Sequence, residues 1–404
     1  MMPGESPLNM MRPPPQRLRR PAAGDMRRRR WPILPPIVLV IVLAIAWGWL
    51  WYYAAAVADR TMAGWVEREA AAGRVYSCGA QSIGGFPLGF TVHCTDAGAD
   101  IKNTVPRYAV KAKSVVFAAA VYHPTRLTGD IVGPLTLAEL GQPPSFVADW
   151  IRARLSVRGV PPDPEGVSAE LDGARLDAMA GANRDSGVTL FKAKHADLHG
   201  DLIAGSPRDH PVIESIVHLA AATAPTVHPL LAQPIDLELD VILRGFKDLS
   251  PKPWAERFHE MQEAGGGIEI RSLRLAQGGA IVAGQGTLNV NDHGKLDGLV
   301  SVAIVGLEQI VPLLGIDRVI GQGIDRLSGT EGSSAQGLSA LDRLIPGLGG
   351  AIRESANASL VETIKKMGQP SAIDKLPATV LPLRFVDGSI YLGMLRVGEV
   401  PPLF

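Results

Sequence analysis

The sequence has little with which to grip a ligand and little with which to do chemistry. Only 5% of its 404 residues are aromatic, which removes the stacking platforms that sugar and base binders use. It has two cysteines, Cys78 and Cys94, and no C-x-x-C, so a redox pair is not expected. Neither sign of charge is in excess, 40 Lys+Arg against 40 Asp+Glu, whereas a nucleic-acid binder normally shows a basic surplus. Walker A, H-E-x-x-H and G-x-S-x-G patterns are all absent from the sequence. The segment Gly284-Gln285-Gly286-Thr287-Leu288-Asn289 lacks the last glycine of a dinucleotide loop and opens no helix. No catalytic residue, cofactor or metal is therefore expected, and nucleic acid is not expected as a partner.

The even charge is a sum of two uneven parts. Residues 1–32 hold eight arginines, including Arg27, Arg28, Arg29 and Arg30, and two acids, a net +6. The remaining residues hold 32 basic and 38 acidic groups, a net −6. The basic segment is proline-rich and has almost no apolar periodicity, so it is expected to be a disordered tail.

From Trp31 to Ala58 no residue is charged. About 20 apolar residues span a ~30 Å hydrocarbon core, and residues 33–54 are expected to form a transmembrane helix. Trp47, Trp49, Trp51, Tyr52 and Tyr53 mark one membrane interface and Trp31 the other. The arginines place the N-terminus in the cytoplasm and the large C-terminal part in the periplasm, anchored to the inner membrane. The alternative is a cleavable signal with its site after Ala56-Val57-Ala58, but the apolar run exceeds the ~7–15 residues usual for one. Residues 55–73 continue as a juxtamembrane helix with Gly73 as its stop.

In an oxidising compartment Cys78 and Cys94 can pair. Gly84-Gly85-Phe86-Pro87 lies near their midpoint and reads as a hairpin turn, which would bring the two cysteines to facing positions near disulfide distance.

Beyond residue 74 the pattern is mostly β. Strands are expected over 108–122, 148–157, 167–176, 188–202 and 237–243. A three-strand meander is expected over 268–305, with turns at Gly278-Gly279 and Asn291-Asp292-His293-Gly294. Helices are expected at 254–264, 212–224 and 351–367. Residues 315–350 read as a glycine-rich insert. His195 and His199 have the i, i+4 spacing of a helical metal pair, but on a strand they would share a face about 13 Å apart.

Together these features set the fold class: mainly β (α+β), an N-terminal transmembrane helix and one large antiparallel, curved β-sheet domain over 74–404 with a few helices. The order of landmarks resembles one family. Ile83-Gly84-Gly85-Phe86-Pro87 follows the membrane helix, and then come the Trp254 helix, Gly265-Gly266-Gly267-Ile268, Gly284-Gln285-Gly286 and Leu381–Gly388. The plan resembles an alphaproteobacterial envelope family of unknown function, DUF2125, and more distantly AsmA-like envelope proteins. The likeness implies a non-enzymatic structural or lipid-related role, with the membrane, a lipid or another envelope protein as partner. A periplasmic hydrolase, or a module binding small molecules or cell wall, is the alternative.

Overall fold

The uncharged run folds as a helix, α1, from Leu34 to Ala71. Pro35 and Pro36 occupy its first turn, where a missing N–H costs little. The Gly73 N–H reaches the Ala70 carbonyl at 3.0 Å, and Gly73 adopts φ +84°, a conformation that stops the helix where glycine stands. The structure, a computed structural model, describes residues 34–160, 163–179, 187–250, 252–310, 358–359, 361–393 and 395–404. The expected basic tail, Trp31, Arg27–Arg30 and the glycine-rich insert lie outside the described residues. The chain divides into two compact units, residues 1–54 and 55–404.

Among the described residues, the strands of the second unit form one sheet of 18. Its N-terminal part holds β1 (Arg74–Ser77), β2 (Ala80–Gly84), β3 (Gly89–Ile101), β4 (Tyr108–Ala120), β5 (His123–Glu139), β6 (Pro144–Asp149), β7 (Arg152–Val160) and β8 (Asp163–Ala178). The middle holds β9 (Val188–Ser206), β10 (Asp209–Ala222), β11 (Ile235–Leu243), β12 (Gly267–Gln277), β13 (Ala280–Val290) and β14 (Leu296–Val305). The end holds β15 (Gln369–Ile373), β16 (Leu376–Val386), β17 (Ser389–Leu392) and β18 (Leu395–Glu399). From β3 to β14 the chain is an antiparallel meander, each strand pairing with its neighbour, with β6 and β7 sharing one position between β5 and β8. The expected meander over 268–305 is β12, β13 and β14.

Two expectations fail in instructive ways. The segment 212–224 is not a helix but falls in β10. Apolar residues at 212, 213, 216, 217 and 219 mimic helical spacing, but the backbone pairs with β9 and β11 on both sides. The expected strand over 148–157 is broken between Asp149 and Arg152, so it becomes β6 and β7. There the Trp150 indole N–H donates to the Ile131 carbonyl at 2.8 Å. β5 shifts register opposite, around Gly133 and Pro134, because Pro134 has no N–H for the ladder.

The helices that do form cover the C-terminal half. α2 runs from Trp254 to Glu263, as expected. α3 (Leu307–Ile310) follows β14, and residues 361–367 are helical while 351–357 lie outside the described residues. Val361 and Ile364 of that helix, together with Leu307, pack on Leu288, Val300, Val302, Leu381 and Leu392. This is the main core of the sheet unit.

Candidate functional site

Antiparallel register sorts the meander into two faces. One cross-strand row runs Val92, Phe117, Gly129, Leu155, Ala169, Leu198, Val217, Leu239, Leu273, Gly284, Val302, Leu381. Every member is apolar or glycine. One position along, the row Asp130, Arg154, Glu170, Asp197, His218, Glu238, Arg274 consists wholly of ionisable residues. From β5 to β12 the sheet is therefore amphipathic.

The two halves of the apolar face differ in cover. Towards β14 and β16, Val302 and Leu381 are buried beneath the helices. From β3 to β8 the only buried hydrophobic residues are Ala109, Ala153 and Ala174, so among the described residues no large side chain is sealed there. Leu127, Val167 and Leu198 are exposed. Exposed apolar surface that is contiguous, rather than scattered, marks an interaction site.

At the N-terminal end the same face is roofed by the last turns of α1, and a groove of about 510 Å³ lies between them. Met62, Ala63, Trp65 and Val66 form its roof. Val92, Cys94, Ala97, Val110, Ala112, Val115, Phe117, Ile131 and Leu135 form its floor. That size falls within the range of small-molecule pockets. Asp59 is the one lining residue that carries a formal charge.

Two contacts hold α1 over the groove. Trp65 stacks on Tyr76 of β1, ring centroids 4.9 Å apart. Arg74 grips Glu69 with both Nε and Nη2, at 2.5 and 3.1 Å. That hydrogen-bonded guanidinium holds the Glu69 carboxyl below its ordinary range, while burial pushes the Tyr76 hydroxyl up.

A disulfide joins Cys78 to Cys94, and both residues line the groove. They do not face each other as hairpin partners, as the spacing suggested. Cys94 faces Gln81, and Cys78 sits in the break between β1 and β2, which pair in turn with the same strand β3. The bond therefore pins that break to β3.

Trp47, Trp49, Trp51, Tyr52 and Tyr53 all lie on α1. Trp49 and Tyr53 stack at 6.3 Å, and Trp51 meets Tyr52 edge-on at 5.3 Å. Trp49, Tyr52 and Tyr53 are exposed, as a helix needs if it is to present these rings to a membrane interface. α1 is long and apolar enough to cross a bilayer.

On the polar face, His195 and His199 lie on the same side of β9, each tied to an aspartate: His195 to Asp172 at 2.7 Å and His199 to Asp197 at 2.9 Å. They are not joint ligands. Glu170, Asp172 and His195 bring ligand atoms within 4.8 Å of one another. Arg152 already pairs with both carboxylates of that group, with Nη2 at 2.7 Å from Asp172 and 3.9 Å from Glu170. Hydrogen bonds from His195 and Arg152 hold the Asp172 carboxyl below its ordinary range.

The groove itself was not legible from the sequence. Its residues come from five separate stretches of sequence that only the register brings together.

A search of curated proteins finds no match. The family profile described as "Uncharacterized protein conserved in bacteria" matches residues 51–401, from the aromatic cluster to the last strand. The chain belongs to this family, DUF2125.

Proposed function

We propose that this is a non-enzymatic envelope protein that handles membrane lipid, anchored in the inner membrane by α1 with its sheet unit in the periplasm. The observation that carries this reading is the groove beneath the end of α1, apolar on floor and roof and on the same face of the sheet as the uncovered apolar row. Tyr53 and Asp59 are only six residue steps apart along the chain. Even fully extended those steps reach about 21 Å, so a groove beginning at Asp59 stays close to a membrane interface marked by Tyr53. An acyl chain leaving the bilayer there would exchange one apolar surrounding for another. The distant AsmA-like resemblance points the same way, as a fold-level analogy. A hydrolase or cell-wall module would have to draw on the polar face, where Arg152 already pairs with Asp172.

The test uses the full chain in vesicles of phosphatidylethanolamine and phosphatidylglycerol containing a trace of phospholipid with a diazirine on its acyl chain. After illumination, labelled peptides are mapped. Labelling of 59–66 and of β3 to β5, as well as the 34–54 span, supports lipid entry. Labelling confined to the 34–54 span overturns it.

A further inference from the structure

Along the apolar row, the lining of the groove ends at Phe117. Its floor includes Phe117 and Ile131 but stops short of Leu155, although Leu155 is next but one to Phe117 in the same apolar row. Between them is Gly129 of β5. A β-carbon built there would meet the Phe117 ring at 3.2 Å and the Leu155 β-carbon at 3.9 Å. The ring thus lies over β5, using the space that glycine leaves, and Gly129 is buried beneath it. Beyond that ring, Leu155, Ala169 and Leu198 carry the apolar row onward, and Leu198 is 48% exposed.

We infer that the groove takes one acyl chain of a membrane lipid, and that the Phe117 ring is the stop that sets how much of that chain it admits. The inference rests on the lipid reading above and adds a length limit to it. A chain held in the groove lies over Ala112 and Val115, and its methyl end meets Phe117. Gly129 belongs to the device, because any side chain there would displace the ring. With the ring removed, the row from β3 to β11 forms one uninterrupted strip. Seven strand spacings of ~4.8 Å make that strip about 34 Å long, more than the ~15 Å depth of one leaflet of the hydrocarbon core.

The test is photolabelling of the full chain in vesicles of the composition above, with the diazirine at the methyl end of the acyl chain. In the wild type the label is expected on peptides of β4 and β5 that contain Phe117 and Ile131. In Phe117→Ala it is expected to move several-fold towards the β7 and β8 peptides that contain Leu155 and Ala169. Ala112→Phe adds a ring to the floor of the groove, and is expected to cut β4 and β5 labelling several-fold while the 34–54 span stays labelled. Circular dichroism and melting establish that each variant is folded. If Phe117→Ala leaves the methyl-end label where it was, or Ala112→Phe leaves the yield unchanged, the length limit is overturned. If no groove peptide is labelled in the wild type, the lipid reading itself fails.

Discussion

Trp65 of α1 lies flat on Tyr76 of β1, with ring planes 28° apart. This aromatic contact joins the juxtamembrane turns to the sheet beside the groove, and Glu69–Arg74 lies one helical turn further on. A stacked pair contributes about 0.5–1.5 kcal/mol beyond its buried area. Trp65→Ala is expected to cost about 1 kcal/mol in denaturant unfolding. It should also speed amide exchange across residues 62–71 without changing exchange in β12 to β14. Unchanged exchange in α1 would mean that the stack does not hold the roof.

The disulfide closes a loop between residues 16 apart in sequence. In the chain-entropy model a loop of that size contributes about 3 kcal/mol. Cys78→Ser with Cys94→Ser is expected to lose up to that amount, and to loosen β1 and β2 before the rest of the sheet, because the bond pins their break. The same cysteines report the compartment. In cells lysed into alkylating reagent, the wild-type pair should resist modification until a reductant is added, as befits an oxidising compartment. Immediate alkylation would place the sheet unit in the cytoplasm, against the proposed topology.

The fold was legible where alternation was clean, and the site was not. β11 could be read because Leu237, Leu239, Val241 and Leu243 alternate with polar residues. β10 was misread because Ile213, Val217 and Leu219 on the apolar face are interleaved with Val212 and Ile216 on the other. A strand packed between two neighbours can afford apolar residues on both faces, and the period of two is then lost. The cysteine spacing did signal a bond, yet the reason it forms is a break between two short strands rather than a hairpin register. The groove depends on Cys94, Val115 and Ile131 sharing a row, with the roof supplied from residues 59–66. No local pattern encodes such a meeting, and it follows only from strand lengths and bulges, the features hardest to place from sequence.

The loop between β11 and α2 is held by charge. Glu260 and Arg257 are buried and 2.9 Å apart; Lys252 also binds Glu260, and Arg257 donates to the Asp248 and Ser250 carbonyls. Burial works against ionisation of Glu260, but Lys252, the Lys247 N–H and Arg257 outweigh it and hold the carboxyl below its ordinary 4.5. The sign follows: this stability is complete above about pH 4.5 and drains away as pH falls through the lowered folded value. Glu260→Gln is expected to cost about 2 kcal/mol at neutral pH, the scale of a lost charge-assisted bond. The gap between the variant and wild type should stay constant from pH 7 to 5 and close only in stronger acid. A gap that closed between pH 7 and 5 would assign the effect to other groups.

The contrast between the two halves of the apolar face can be measured by placing one charge in each. Leu198 and Leu381 belong to the same cross-strand row, but Leu198 is 48% exposed and Leu381 only 2%. An aspartate at 198 keeps its hydration, so Leu198→Asp is expected to change unfolding free energy by less than about 1 kcal/mol. An aspartate at 381 would sit under Val361 and Ile364 without a partner, and is expected to cost more than about 4 kcal/mol or prevent folding. If the open half of the face receives apolar guests, Leu198→Asp should also weaken binding of an environment-sensitive dye such as anilinonaphthalene sulfonate, while leaving the melt intact. Were Leu198→Asp as damaging as Leu381→Asp, the N-terminal half would be a sealed core in solution. The apolar row would then be explained by packing alone, with no guest to invoke.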